Sequence, residues 1–197
     1  AVKQWGYTGL EDIDLSDFTS LVSVAADELG AFANVKDFGI SPYGGSFSDT
    51  GIKEVPEGFF DYARRATSFD DTFRGCGQLT SIPEGLFDNC ASSRSFDSTF
   101  SGCSKLEYIP DGLFVNCPYA TNFRMVFAGT AIKSIPADLF SGCPGIEHLE
   151  GAFYDCEYLA EIPSGLLSEN SKVKYVGDNA RRNSTYQSRL GMFERCS

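Results

Sequence analysis

Residues able to do chemistry are scarce in one respect and abundant in another. The chain holds one histidine, His148, against seven cysteines and 27 aspartates and glutamates. A serine or cysteine nucleophile needs a base beside it, most often an imidazole, to take its proton. Only His148 is available, and in GIEHLEG it precedes the apolar Leu149 by one residue, so a strand there would turn it outward. No G-x-S-x-G elbow, G-x-x-x-x-G-K-[ST] loop or G-x-G-x-x-G fingerprint occurs. The absence of any C-x-x-C leaves no zinc spacing. Carboxylates keep one enzymatic reading open, a glycosidase pair ~5–10 Å apart. Asp70, Asp71, Asp97, Glu147 and Glu150 are instead expected to face solvent as solubilising charge. Glu57, Glu84 and Asp111 follow a proline at the head of a short turn, where negative charge suits the turn's N-terminus. The expectation is a chain that is not an enzyme and carries no cofactor and no metal.

What positions these groups is a repeat. VPEGFF, IPEGLF, IPDGLF, IPADLF and IPSGLL begin at Val55, Ile82, Ile109, Ile135 and Ile162, at spacings of 27, 27, 26 and 27 residues. Between them runs a second signature, SFDSTFSGC ending at Cys103, NFRMVFAGT at Thr130 and HLEGAFYDC at Cys156. Three columns stay apolar while their neighbours vary: Phe60, Phe87, Phe114, Phe140, Leu167; Phe69, Phe96, Phe123, Leu149, Val176; and Phe73, Phe100, Phe127, Phe153. Constant apolar columns mark an interior. One unit alone cannot bury three aromatics, whereas stacked units form a continuous core. The predicted fold is therefore an α/β repeat solenoid, a leucine-rich-repeat-like right-handed coil of parallel strands and short helical turns. L-x-x-I-P reads as one strand ended by its proline, G-L-F-x-N-C as a helical or 3₁₀ turn, and the Phe96 column as a second extended stretch.

The columns place the whole chain, 1–197, in one solenoid domain. Residues 1–20 are expected to be an N-terminal cap with LEDIDLSDF as a capping strand, and 21–50 a degenerate first repeat. Regular repeats fill 51–177, an insertion loop 178–190, and a truncated last repeat 191–197, where GMFERC matches GAFYDC. The start at Ala1 reads as a processed form or a piece of a longer chain. Cysteines fall into two columns, Cys90, Cys117, Cys143 and Cys76, Cys103, Cys156, Cys196, with Ala63, Asn170 and Thr130 standing in the gaps. Scattered losses and an odd total fit buried thiols better than a disulfide framework, although neighbouring coils bring such residues within bridging range. Hydrophobic residues at 42% exclude a disordered tail, and a net charge of −11 argues against nucleic acid as a partner. No apolar run approaches the ~20 residues of a membrane span.

SKLEYIP (104–110) and STFSGC (98–103) resemble the BspA-like leucine-rich repeats of bacterial cell-surface proteins, whose unit is a Cys, then L-x-x-I-x-x-P, then a segment ending A-F-x-x-C. The present unit is longer by the G-L-F-x-N-C turn. QWG (4–6) is similar to the opening of related repeat proteins of gut bacteria and their phages. The resemblance implies a bacterial, extracellular or cell-surface adhesion module recognising a host protein or glycan. The alternative is a structural spacer, or a phage tail or capsid appendage, built from the same repeats.

Recognition is expected where the repeat is interrupted. The gap from the Phe96-type column to the next core position is four residues, but it widens to nine at Phe38–Phe47 and seventeen after Val176. Both insertions fall at one phase, so both should leave the same edge. The first, SPYGG, offers Tyr43. The second, DNARRNSTYQSRL, offers Asn179, Arg181, Arg182, Asn183, Tyr186, Gln187 and Arg189, a local basic patch suited to carboxylates. Its N-S-T sequon is read as accidental. A second candidate surface is the outward strand face, Thr80, Ser81, Glu107, Tyr108, Lys133, Ser134, Ala160 and Glu161, which shows no aromatic stripe in sequence. The C-terminal coil edge is expected to be covered by further chain or a partner.

Overall fold

A computed structural model describes residues 2–3, 10–39, 44–168, 170, 172–174 and 191–196. The chain winds as a stack of coils, which we number by the residue entering each L-x-x-I-P stretch. Coils 1 to 6 begin at Val22, Lys53, Thr80, Glu107, Lys133 and Ala160. The register is carried by coil-to-coil hydrogen bonds, among them Lys53 N–H to Val22 C=O, Thr80 to Lys53, Lys133 to Glu107 and Ala160 to Lys133.

The expected strands contract to single parallel bridges. One series runs Asp37, Ser68, Ser95, Asn122, His148, each paired with the next, and a second joins Glu54 to Ser81 and Ser134 to Glu161. The extended run is too short for more. On the second series it ends at Pro56, Pro83, Pro110, Pro136 or Pro163, which has no N–H to offer a ladder. On the first, a left-handed residue follows two positions after the core residue, at Asp71, Ser98, Met125 or Gly151.

The expected helical or 3₁₀ turns are present as isolated i→i+3 turns that do not extend into helices. Among the described residues the only helix is the 3₁₀ segment Ala31–Asn34, whose first amides are held by the buried Asp27 carboxylate. Elsewhere G-L-F-x-N-C makes separate turns, with Asp88 N–H to Gly85 C=O and Cys90 N–H to Phe87 C=O. The left-handed Gly58, Gly85 and Gly112 start these turns and prevent a helical run. In F-x-x-x-F-x-G, alternate amides are shared between two tasks. Those of Phe69, Asp71, Phe73 and Gly75 donate to carbonyls of Ser95, Asp97, Thr99 and Ser101 in the next coil. Those of Thr72, Arg74 and Cys76 close turns at home. A helix would need both sets for itself.

The phenylalanines of all three columns lie in the core. Phe69, Phe96 and Phe123 stack at 5.5 and 5.4 Å between centroids, and Phe73, Phe100, Phe127 and Phe153 follow at 5.6, 5.6 and 5.7 Å. Rings of the Phe60 column interleave edge-on, as Phe87 does against Phe96 at 4.9 Å. The core thins at coil 6, where Ile162 is 52% exposed although its counterparts are buried.

Residues 10–20 are not a capping strand. Leu15 and Asp17 donate to Ser46 and Ser48 carbonyls, and Asp17 is left-handed, as Asp49 and Gly75 are at the matching place. This segment is the last part of one further coil, with Ile13 in the core.

All seven thiols are free. Each donates to a carbonyl of the preceding coil, as Cys103 does to Phe73 at 3.2 Å and Cys143 to Phe114 at 3.3 Å. Asn170 takes a place in the same ladder, its Nδ2 donating to Phe140 and Cys143 carbonyls at 3.3 and 2.9 Å. Thr50 and Thr130 replace cysteine where the following turn is one residue shorter, and their hydroxyls donate to Phe47 and Phe127 within their own coil, each at 2.8 Å.

Candidate binding surface

The residue after each member of the Phe69 column sits at the edge where the insertions occur. In coils 2 to 5 these residues are Asp70, Asp97, Arg124 and Glu150. With the bridge residues Ser68, Ser95, Asn122 and His148 they form a polar ribbon running along the stack. Ser95 Oγ donates to Asp70 Oδ1 at 2.5 Å, and the Asp97 amide donates to the same oxygen at 2.8 Å. Asn122 Nδ2 donates to Ser95 Oγ at 3.0 Å, and Arg124 lies 3.8 Å from Asp97. His148 Nδ1 is 3.3 Å from Glu150 Oε1. Burial pushes the Asp70 carboxyl up from its ordinary range, against the two hydrogen bonds that favour its charge. Asp71 is raised for the same reason, with Arg74 opposing.

Glu150 overturns the expectation that these carboxylates all face solvent: it is only 6% exposed. It lies between the two places where coil 6 joins coil 5, Lys174 N–H to Glu147 C=O and Phe153 N–H to Met192 C=O. Its Oε2 and the Arg124 Nε are buried without a hydrogen-bond partner. Sequence alone gave no signal for this, because Glu150 occupies the same phase as the half-exposed Asp70 and Asp97.

The first insertion is closed by Ser46 N–H donating to Phe38 C=O at 2.7 Å. Its flanking glycines press on coil 2: a methyl group at Gly45 would lie 2.3 Å from the Asp71 carbonyl carbon, and one at Gly39 2.5 Å from Asp70 O. The second insertion falls between Lys174 and Gly191. Every residue singled out from sequence in the two insertions, Tyr43, Asn179, Arg181, Arg182, Asn183, Tyr186, Gln187 and Arg189, lies outside the described residues. The described ends place both departures at the ribbon, one at each end of it.

On the other bridge series Thr80, Ser81, Tyr108, Lys133, Ser134, Ala160 and Glu161 are exposed, as expected, with Glu107 half-buried. Lys133 pairs with Glu107 Oε2 at 2.5 Å and stands 5.5 Å above the Tyr108 ring. Among the described residues no cluster of three His, Cys, Asp or Glu is placed to hold a metal ion. No helix there is long and apolar enough to cross a membrane.

No family model matches the chain, and no curated protein is similar to it in sequence. Solved structures are similar in shape. The APL1 leucine-rich repeat domain matches at TM-score 0.54 and 15% identity, over 82% of this chain and 37% of that one. The LRIM1/APL1C complex matches at 0.49 and 16%, over 82% and 26%. A leucine-rich repeat protein from Bacteroides ovatus matches at 0.33 and 20%, over 77% and 33%. The chain thus spans between a quarter and two fifths of the length of these proteins. Low identity with shared coil geometry is a likeness of fold, and the fold of this chain is the leucine-rich-repeat solenoid.

Proposed function

We propose that the chain is a non-enzymatic binding module, exposed outside the cell or on its surface, that recognises a host protein or glycan. The BspA-like resemblance supports the bacterial surface setting and the adhesive role. The observation that carries the reading is that both breaks in the repeat occur at one phase and bracket the polar ribbon from Asp70 to Glu150. Solenoids bind through what varies between repeats and what is inserted into them. Tyr43, Asn179, Arg181, Arg182, Asn183, Tyr186 and Arg189 are the residues proposed to contact the ligand. Arginine forks suit carboxylate or sulfate groups, and the acidic remainder of the chain disfavours nucleic acid.

The test is an array of host glycans and matrix proteins probed with the chain and with a version lacking 178–190. Binding by the intact chain that disappears with the deletion is expected. Silence from both versions would overturn the reading and leave the coils as a spacer.

A further inference from the structure

The spacing of 26 residues between Ile109 and Ile135, against 27 elsewhere, has a local cause. Coils 2, 3 and 5 carry Cys-x-x-Leu after the last core phenylalanine, closed by Leu79 N–H to Cys76, Leu106 to Cys103 and Leu159 to Cys156. Coil 4 has Thr130-Ala131-Ile132, one residue fewer, and coil 1 has Thr50-Gly51-Ile52. The missing residue is the one that points outward as Gln78, Lys105 or Tyr158 in the longer turns. Each short turn therefore leaves a notch in the row.

In coil 1 the chain fills the notch itself. A methyl group at Gly51 would meet Thr19 O at 2.4 Å and Val22 Cγ1 at 3.4 Å. In coil 4 the notch is open, a hollow of about 490 Å³ lined by Thr80, Ser104, Lys105, Glu107, Ala131, Lys133 and Tyr158. Tyr158 lines the hollow and is 63% exposed. Lys105 Nζ donates to Gln78 Oε1 at 2.6 Å and Lys133 Nζ to Glu107, so each ammonium is held in place and keeps further donors free.

We infer that this hollow binds one acidic sugar residue. The size suits a small ligand. An aromatic face with few apolar neighbours matches the C–H face of a pyranose, whose hydroxyls would meet Thr80, Ser104 and Glu107. Two lysines against one glutamate make the hollow locally positive in a chain of charge −11, which selects a carboxylate. An acidic peptide fits less well. Strand addition needs free backbone groups, whereas the amides of Thr80, Leu106, Lys133 and Ala160 around the hollow are already bonded within or between coils.

The inference rests on the binding-module reading and deepens it with a site away from the insertions. The experiment is a titration of the full chain with glucuronate, galacturonate and N-acetylneuraminate methyl glycosides, followed by amide and tyrosine NMR. Their uncharged methyl esters and a tetraglutamate peptide serve as comparisons. At least one acidic sugar should bind with shifts centred on Tyr158 and Ala131. Tyr158→Ala should weaken it roughly tenfold, and Lys133→Glu combined with Lys105→Glu should abolish it. All three are exposed residues, and thermal melts confirm that the variants fold. Equal binding of the esters or of tetraglutamate, or no shift with any acidic sugar, overturns the proposal. Array binding that survives Tyr158→Ala but not deletion of 178–190 would sink this site while leaving the module reading intact.

Discussion

At the scale of single residues, the cysteine columns serve as hydrogen-bonding spacers. A thiol is small enough for the core and still donates to a carbonyl of the preceding coil, as Cys76 does to Phe47 at 3.1 Å. Asn170 shows what the position demands. Its amide adds a second donor to each of two buried carbonyls, those of Phe140 and Cys143, which already accept from the Cys143 and Ile146 amides. A typical intramolecular hydrogen bond contributes a net of about 0.5–1.5 kcal/mol. Asn170→Ala removes two such bonds and should therefore lower stability by about 1–2 kcal/mol in urea unfolding. Asn170→Cys should recover most of the loss by restoring the Cys90–Cys117–Cys143 pattern. If Cys and Ala prove equally destabilising, donation to the preceding coil is not what the column provides. Much of this was legible in sequence, because columns expose which positions are interior. The burial of Glu150 was not, because it depends on where a neighbouring coil rejoins rather than on the residue's own phase.

At the scale of elements, the repeat phase and the aromatic columns carried over, while the parallel strands and short turns are present only as single bridges and isolated turns. Helix and strand are defined by runs of bonds within or between segments, and here the amides alternate between the two uses along a single segment. A repeat of L-x-x-I-P and G-L-F says which side chains are inside, but not how amides are apportioned. The N-terminal segment misled for a related reason. Its alternation at Ile13-Asp14-Leu15 fits a strand, yet the left-handed Asp17 aligns it with the turns at Asp49 and Gly75. The first insertion makes an element-scale prediction. Gly45 sits so close to the coil 2 backbone that a methyl group would fall 2.3 Å from the Asp71 carbonyl carbon and the Thr72 nitrogen. Neither neighbour is a flexible side-chain tip, and the bond from Phe47 N–H to Thr72 C=O pins the same place. Gly45→Ala should cost about 2–3 kcal/mol, the size of an overpacking defect, and should speed hydrogen exchange at Phe47 and Asp49. Unchanged exchange there would mean that the excursion does not depend on this contact.

At the scale of the whole molecule, stability is a sum over stacked interfaces, and the same thiols recur at nearly every one. Burial pushes Cys76 and Cys156 up from an ordinary 9.0 to about 11 and Cys143 to about 12, and raises Cys90, Cys103 and Cys117 well above the ordinary range. A folded pKa above the unfolded one means that the stabilisation is fully present below about 9 and declines as pH rises toward the folded values. The unfolded chain ionises first and is favoured by each proton lost. Each buried thiol then removes about 1.4 kcal/mol per pH unit in that window. Six such groups exceed within two units the roughly 5–15 kcal/mol that holds an ordinary domain together. The aromatic stack should therefore collapse cooperatively between pH 9 and 11, read as loss of near-ultraviolet circular dichroism, with little thiol-dependent change between pH 5 and 8. Replacing Cys90, Cys117 and Cys143 together by alanine separates packing from titration. The variant should be less stable at pH 7, because three donors and their volume are lost, yet its stability should fall less steeply above pH 9. Parallel slopes for the two proteins would place the alkaline sensitivity in the tyrosines or lysines instead, and would mean that the cysteine columns contribute packing alone.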